Sequence, residues 1–354
     1  MKEELLLMML SSYKGERTIY GAQHILQGKK SAQSIQDGHF FSLLPYFHLF
    51  PRITRKEVQQ LAISLEQQQL ITLDDDHRAI LTDIGKGKVE SFKKEHTFLR
   101  QLDGWKYIKL TEAFWLRLTL YIQTCTQLQL KQTTFIPITS NREIQTWVKA
   151  HLQIKKACHQ ENLNALYNDL VRFLETCSDL EARIFVGQLT SPSQIGLTLF
   201  QLADQLQVHK EYAYVLHRAT LHKLFRALLN GQYPALRPFM GELREHRFST
   251  ETANKTANLL KQGLTIDEIV EKRRLKRNTI EDHVVELALY DPSFSIRPYI
   301  SEEDYQQIIT AAETLNTLKL KQLRDYVGHS ISYFMIRIAL TRKDSSYEPA
   351  QSAL

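Results

Sequence analysis

The sequence predicts a mainly α-helical, multi-domain protein with an N-terminal winged helix and a C-terminal helix-turn-helix. Three observations predict it. Glycine and proline are scarce, 13 and 9 in 354 residues, which disfavours a strand-and-turn fold. Apolar residues recur at helical spacing along most of the chain. One short stretch, Leu70–Thr82, departs from that spacing and reads as a hairpin set directly after a helix.

The first element is MKEELLLMMLSSYKGER. Its apolar run, Leu5–Leu10, is too short for a membrane span, and two glutamates precede it, so it reads as a helix and not a signal peptide. In GERTIYGAQHILQGKK, Ile19, Ala22 and Ile25 share one helix face and Gly28 is the stop. Ala32–Phe41 and the LPYFHLFP that follows read as the approach to the next helix. That helix lies in Ile53–Ile71, where Val58, Leu61, Ala62 and Leu65 form the buried stripe. Leu70–Leu73 and Ala79–Thr82 are then two short strands around the polar turn Asp74–Asp76. Helix followed by tight hairpin is the pattern of a winged helix, and Gly85–Lys88 reads as a basic loop after the wing. The basic residues Arg55, Lys56 and Arg78 are its candidate nucleic-acid contacts.

The middle of the chain is helical throughout. TEAFWLRLTLYIQTCTQLQL is apolar-periodic and FIPITSN interrupts it at Pro137. Asn141 is placed to cap the next helix, REIQTWVKAHL. After LEARIFVGQLT, Thr198 opens a short helix, Gln207–His209 turns, and a longer helix carries Val215, Ala219 and Leu224. This arrangement resembles the fourth-region helix-turn-helix of bacterial sigma factors, and its basic residues Lys210, Arg218, Lys223 and Arg226 are candidate contacts.

The last region contains LLKQGLTIDEIVEKRRLKRNTIEDHVVEL. Gly263 closes one helix, Thr265 caps the next, and Asn278 or Thr279 opens a third. Lys272, Arg273, Arg274, Lys276 and Arg277 crowd the turn, where they would meet phosphates, while Asn278 and Thr279, with His283 a turn further on, would approach base edges. Glu281 and Asp282 oppose that reading, since carboxylates repel phosphate. The residues therefore leave contact with DNA and contact with protein both open.

Composition sets outer bounds. Net charge is +6, with the surplus in the middle region and a neutral C-terminal region. That balance permits a polyanionic partner without requiring one. Three cysteines, Cys125, Cys158 and Cys177, show no CxxC spacing, which argues against a disulfide framework or zinc site and for a cytoplasmic location. Cys158–His159 reads as a helical cysteine beside a surface histidine. No P-loop, HExxH or GxSxG string occurs, and Asp74–Asp76 lacks the later glycine and glutamate of a calcium loop. The expectation is a non-enzyme with no cofactor, no metal, no small-molecule substrate and no membrane segment.

GLTIDEIVEKRRLKRNTIEDHVVEL, with the later LKLKQLRDYVGHSISYFMIRIAL, resembles the helix-turn-helix module at the C-terminus of RecQ-type DNA helicases. Gly263, Ile269, Thr279, Ile280, His283 and Leu287 fit its pattern, and Val270 stands where alanine is usual. No helicase ATPase motif accompanies it. The whole layout resembles the YpbB family of Firmicutes, and the resemblance implies an accessory to a RecQ-type helicase in replication or repair. The expected organisation is a winged-helix domain over 1–97, a helical sigma-like domain over 98–245, a RecQ-like helix-turn-helix domain over 246–343 and a polar tail over 344–354. The expected function is an adaptor that binds nucleic acid and the helicase. A sequence-specific transcription regulator and a protein-only scaffold are the alternatives.

Overall fold

The structure is a computed structural model that describes residues 1–155, 160–241 and 250–343. Cys158–His159 and the tail 344–354 lie outside the described residues. The protein is mainly α-helical, with eighteen α-helices and one two-stranded sheet among the described residues. Its contacts divide it into two units, residues 5–89 with 250–343, and residues 1–4 with 90–241. The N-terminal winged helix and the C-terminal helix-turn-helix thus belong to one unit.

In that unit α1 (Lys2–Tyr13) buries every side chain from Leu5 to Leu10. A run of six buried residues has no polar face, so α1 is a core helix rather than an amphipathic one. Next come α2 (Ile19–Gln27), α3 (Ala32–Phe40) and α4 (Arg55–Gln67). Gly28 ends α2 at φ +77°. That left-handed conformation costs glycine nothing, and a Cβ there would also strike the His48 ring. Strands β1 (Ile71–Leu73) and β2 (Ala79–Leu81) pair antiparallel with Thr72 opposite Ile80. The stretch read as an approach segment is itself the helix α3, capped by Ser31, whose hydroxyl accepts from the Ser34 N–H.

Helix α5 (Asp83–Glu95) contains Gly85–Lys88, so the expected basic loop is the start of a helix. The Thr82 hydroxyl accepts from the Gly85 N–H at 3.1 Å and starts it. Gly85 sits against the Leu70 carbonyl, close enough that a Cβ would lie 2.0 Å from that oxygen.

The other unit holds α6 (Gly104–Tyr107), α7 (Leu110–Gln129), α8 (Arg142–Lys155), α9 (Gln160–Leu174), α10 (Asp179–Val186), α11 (Leu199–Gln205) and α12 (Lys210–Leu229). Phe114, Phe173, Phe185, Phe225 and Phe239 fill its main core, with Tyr107 and Leu224. Asn141 caps α8 as its position suggests, accepting from the N–H groups of Glu143 and Ile144 at 3.0 and 3.2 Å. Ser178 and Thr198 form reciprocal capping boxes at α10 and α11 with Glu181 and Gln201.

The chain returns to the first unit with α13 (Glu251–Lys261), α14 (Ile266–Arg273) and α15 (Arg277–Tyr290), the three helices of the C-terminal motif. Thr265 and Glu268 make the capping box of α14. α16 (Glu302–Thr314), α17 (Leu320–Val327) and α18 (Tyr333–Leu340) complete the described chain. Arg342 is buried beyond α18, where its guanidinium donates to the carbonyls of Ala288, Asp291 and Phe294. One charge thereby satisfies the otherwise orphaned end of α15.

Candidate nucleic-acid interface

Three helices occupy the position of a reading helix after a turn: α15, α12 and α4. They differ in how much of each remains open.

Helix α15 is largely enclosed. Its buried residues include Ile280 and every position from His283 to Leu289. It packs against α13, α14, α18 and α3, which leaves mainly its first turn open. Asp282 is held by Arg337 of α18, and Glu286 accepts from the N–H and the hydroxyl of Thr250. Asp282, one of the two carboxylates that oppose DNA in the sequence, is therefore a strut between helices, and the other, Glu281, is paired with Arg277. Burial raises the Glu286 pKa above the usual carboxylate range, and the Thr250 bonds pull the other way.

The basic turn divides into two sets. Arg273 is turned inward, where it donates to the Thr252 carbonyl at 2.9 Å and to the Thr256 hydroxyl. His283 is buried against the same hydroxyl at 2.9 Å, and burial followed by the Arg273 charge lowers its pKa. Thr279 is half-buried, and Arg277 is paired with Asp267 and Glu281. Lys272, Arg274, Lys276 and Asn278 remain exposed. Arg274 adopts φ +52° as the left-handed C-cap of α14, a conformation usually left to glycine or asparagine.

Helix α12 is the central helix of its unit, with eleven buried residues. Arg218 is half-buried over the Tyr214 ring, and Lys223 donates to the Thr176 carbonyl. Lys210 and Arg226 are exposed, but Arg226 donates to the Gln101 carbonyl at 2.6 Å. At 1.5 Å per residue these two lie roughly 24 Å apart along the axis. His217 and His222 are driven down to about 3, first by burial and then by the neighbouring arginines. α12 brings no cluster of cations together on an open face.

Helix α4 is different. Thr54 caps it by accepting from the Glu57 N–H at 3.1 Å. Val58, Ala62 and Leu65 are buried, while Arg55, Lys56, Gln59, Gln60, Ile63 and Gln67 form one exposed face. Glu66, toward its end, accepts from the Leu73 N–H at 3.1 Å and so ties the helix to the wing. The Arg55 guanidinium lies 4.0 Å above the Tyr20 ring. Arg78 of the wing is engaged with Asp76 at 3.0 Å, and the Ile19 N–H donates to the His77 carbonyl at 2.9 Å. The wing tip is thus fastened to the start of α2. Arginine and lysine can neutralise phosphates, glutamine can bond adenine, and an exposed isoleucine can meet a thymine methyl.

Comparison with known proteins agrees with this architecture. Residues 252–340 match a family model described as a helix-turn-helix domain. Over 345 residues the chain is 32% identical to Protein YpbB of Bacillus subtilis (strain 168), spanning 97% of this chain and 98% of that protein. The chain belongs to the YpbB family. No solved structure matches it.

In this YpbB-family protein the matched module holds the enclosed helix α15, while α4 lies outside the match. Gln59, Gln60 and Ile63 escaped a sequence reading that searched for charge. Their signal was positional: they sit opposite the stripe Val58, Ala62, Leu65. Among the described residues no group of three or more histidine, cysteine or acidic side chains could hold a metal ion. Among them also, no helix is long and apolar enough to cross a membrane.

Proposed function

We propose that this YpbB-family protein binds duplex DNA through α4, and that its C-terminal helix-turn-helix serves mainly as the scaffold of the same unit. The observation that carries this reading is the contrast in exposure: α4 has an open, basic and glutamine-rich face, whereas α15 is packed on several sides. A reading helix must lay side chains into a groove about 12 Å wide, which an enclosed helix does not do. Lys272, Arg274 and Lys276 supply a secondary phosphate contact at the basic turn. The protein is non-enzymatic in this reading and acts as an accessory to a RecQ-type helicase in replication or repair. The likeness of its C-terminal module to that of such helicases supports the partnership.

The test is titration of a 20-base-pair duplex at several salt concentrations against two variants. Arg55→Ala/Lys56→Ala/Gln59→Ala is expected to lose about tenfold or more in affinity, with a salt slope reduced by about 2. Lys272→Ala/Arg274→Ala/Lys276→Ala is expected to lose less. The reverse order overturns the assignment to α4. A preference above about a thousandfold for one selected sequence turns the reading toward a transcription regulator. Failure of a RecQ-type helicase to co-purify with the tagged chain removes the helicase role.

A further inference from the structure

A cleft of about 870 Å³ opens in the unit that carries the winged helix, between α2, α3 and the start of α17. Its wall includes Arg17, Tyr20, His24, Lys29, Lys319 and Lys321. Glu16 and Asp37 also line it, but both are committed. Asp37 accepts from Arg17 Nε at 2.8 Å, and the two Glu16 oxygens accept from the Leu318 N–H at 3.1 and 3.0 Å. By contrast Lys29, Lys319 and Lys321 have no carboxylate partner among the described residues. Lys29 Nζ lies 3.5 Å from His24 Nε2. Burial lowers the His24 pKa first, and the charges of Lys29 and Arg55 lower it further. The charges of Lys29 and Arg55 thus fall within reach of the histidine in the cleft wall.

We infer that this cleft is a phosphate-binding site, taking a phosphate carried by a nucleotide or by a single nucleic-acid strand, with Lys29, Lys319 and Lys321 as its ligands. Three lysines from two separate segments, Lys29 after α2 and Lys319 and Lys321 at the start of α17, line one cleft with their charges unmatched and suit a group of two or more negative charges. The volume falls within the range of small-ligand sites, roughly 300–1,000 Å³, and holds one or two nucleotide units rather than a duplex. Tyr20 links the cleft to α4 through the overlying Arg55, so a strand leaving a duplex held at α4 has a continuous basic path. The inference does not depend on that duplex reading, because the lysines of the cleft are not those of the α4 face.

The experiment titrates the full chain with pyrophosphate, ATP and a ten-nucleotide oligothymidylate at low salt, beside Lys29→Ala/Lys319→Ala/Lys321→Ala. Lys29 and Lys321 are exposed and Lys319 is half-buried, and a circular dichroism melt checks that the variant folds. At least one probe is expected to bind the parent chain and to lose about tenfold or more in the variant. Binding by pyrophosphate and ATP but not the oligonucleotide assigns a free nucleotide, and binding by the oligonucleotide assigns a strand. Equal binding by parent and variant overturns the site, as does the absence of binding by every probe. Repeating the titration in Lys56→Ala/Gln59→Ala separates the two readings, since neither residue lines the cleft and the cleft keeps its ligand there even if duplex affinity is lost.

Discussion

Arg337 of α18 donates one guanidinium nitrogen to Asp282 of α15 and another, Nε, to Gln36 Oε1 of α3 at 3.1 Å. The pair fixes two neighbours onto the helix that the C-terminal motif would otherwise present to DNA. Asp282→Asn is therefore expected to lower stability in urea unfolding by about 1–2 kcal/mol, the range of a charge-assisted bond that is partly exposed. Duplex affinity should stay within about threefold of the parent, since the lost carboxylate faces protein. A rise in affinity of tenfold would mean that Asp282 faces phosphate, and would end the scaffold reading of α15.

Arg273 and Arg274 are adjacent in sequence and opposite in role. Arg273→Ala removes the donor shared by Thr252, Thr256 and the surroundings of His283, and should cost about 1–3 kcal/mol of stability with the salt slope unchanged. Arg274→Gly should keep stability within about 1 kcal/mol, because the left-handed cap suits glycine, while duplex affinity falls slightly. Chemical unfolding and salt-dependent DNA titration on both variants check this. An Arg273→Ala chain of parental stability but flatter salt slope would contradict the inward placement.

Two histidines make the α12 unit sensitive to acid. His222 Nδ1 accepts from the Asp103 N–H at 3.0 Å and its Nε2 faces the Thr111 hydroxyl at 3.2 Å, while Trp115 packs edge-on against His217. Both histidines titrate near 3 in the folded chain, against about 6.5 unfolded. The unfolded state therefore binds more protons below pH 6.5. Their stabilisation is complete above that value and is lost as pH falls toward 3, with a limiting slope of about 2.7 kcal/mol per pH unit for two protons. The pKa of Asp103 is raised by burial, which opposes the trend weakly. The three tryptophans, Trp105, Trp115 and Trp147, all lie in this unit, so their fluorescence during urea unfolding at pH 7.5, 5.5 and 4.5 isolates it. A midpoint independent of pH would show that the histidines are not held neutral.

Gly85 and Gly87 occupy the same helix with opposite expectations. Gly85→Ala puts a Cβ against the Leu70 carbonyl and should cost about 3 kcal/mol or more, since backbone on both sides resists moving. Gly87→Ala meets nothing within 4 Å and should stabilise α5 by up to about 1 kcal/mol. Thermal melts of the two variants decide it, and equal effects would mean that Gly85 does not sit against the Leu70 carbonyl as described.

Local features were legible from local signals. The caps Asn141, Thr198 and Thr265 each act on groups two or three residues away, and the hairpin Ile71–Leu81 follows from β-prone residues around an acidic turn. The third helix of the C-terminal motif starts at Arg277, slightly before the expected Asn278 or Thr279, because Lys276 occupies the N-cap without a side-chain bond. Among the candidate contacts, Arg55, Lys56, Lys272, Arg274, Lys276 and Asn278 are open, whereas Arg273 and His283 support the interior. The lysines of the cleft carried no motif, since Lys29 and Lys319 belong to distant segments.

By itself the sequence determined the helical class, the turn-and-cap boundaries and the winged helix, because periodicity, capping and turn chemistry are decided within a few residues. Only the tertiary structure decided which face of each helix stays in water. Gln36 and Arg337, 301 positions apart, meet beside α15, and burial depends on such distant partners rather than on the pattern of one helix. A basic string therefore marks where charge is, and packing settles whether that charge reaches solvent.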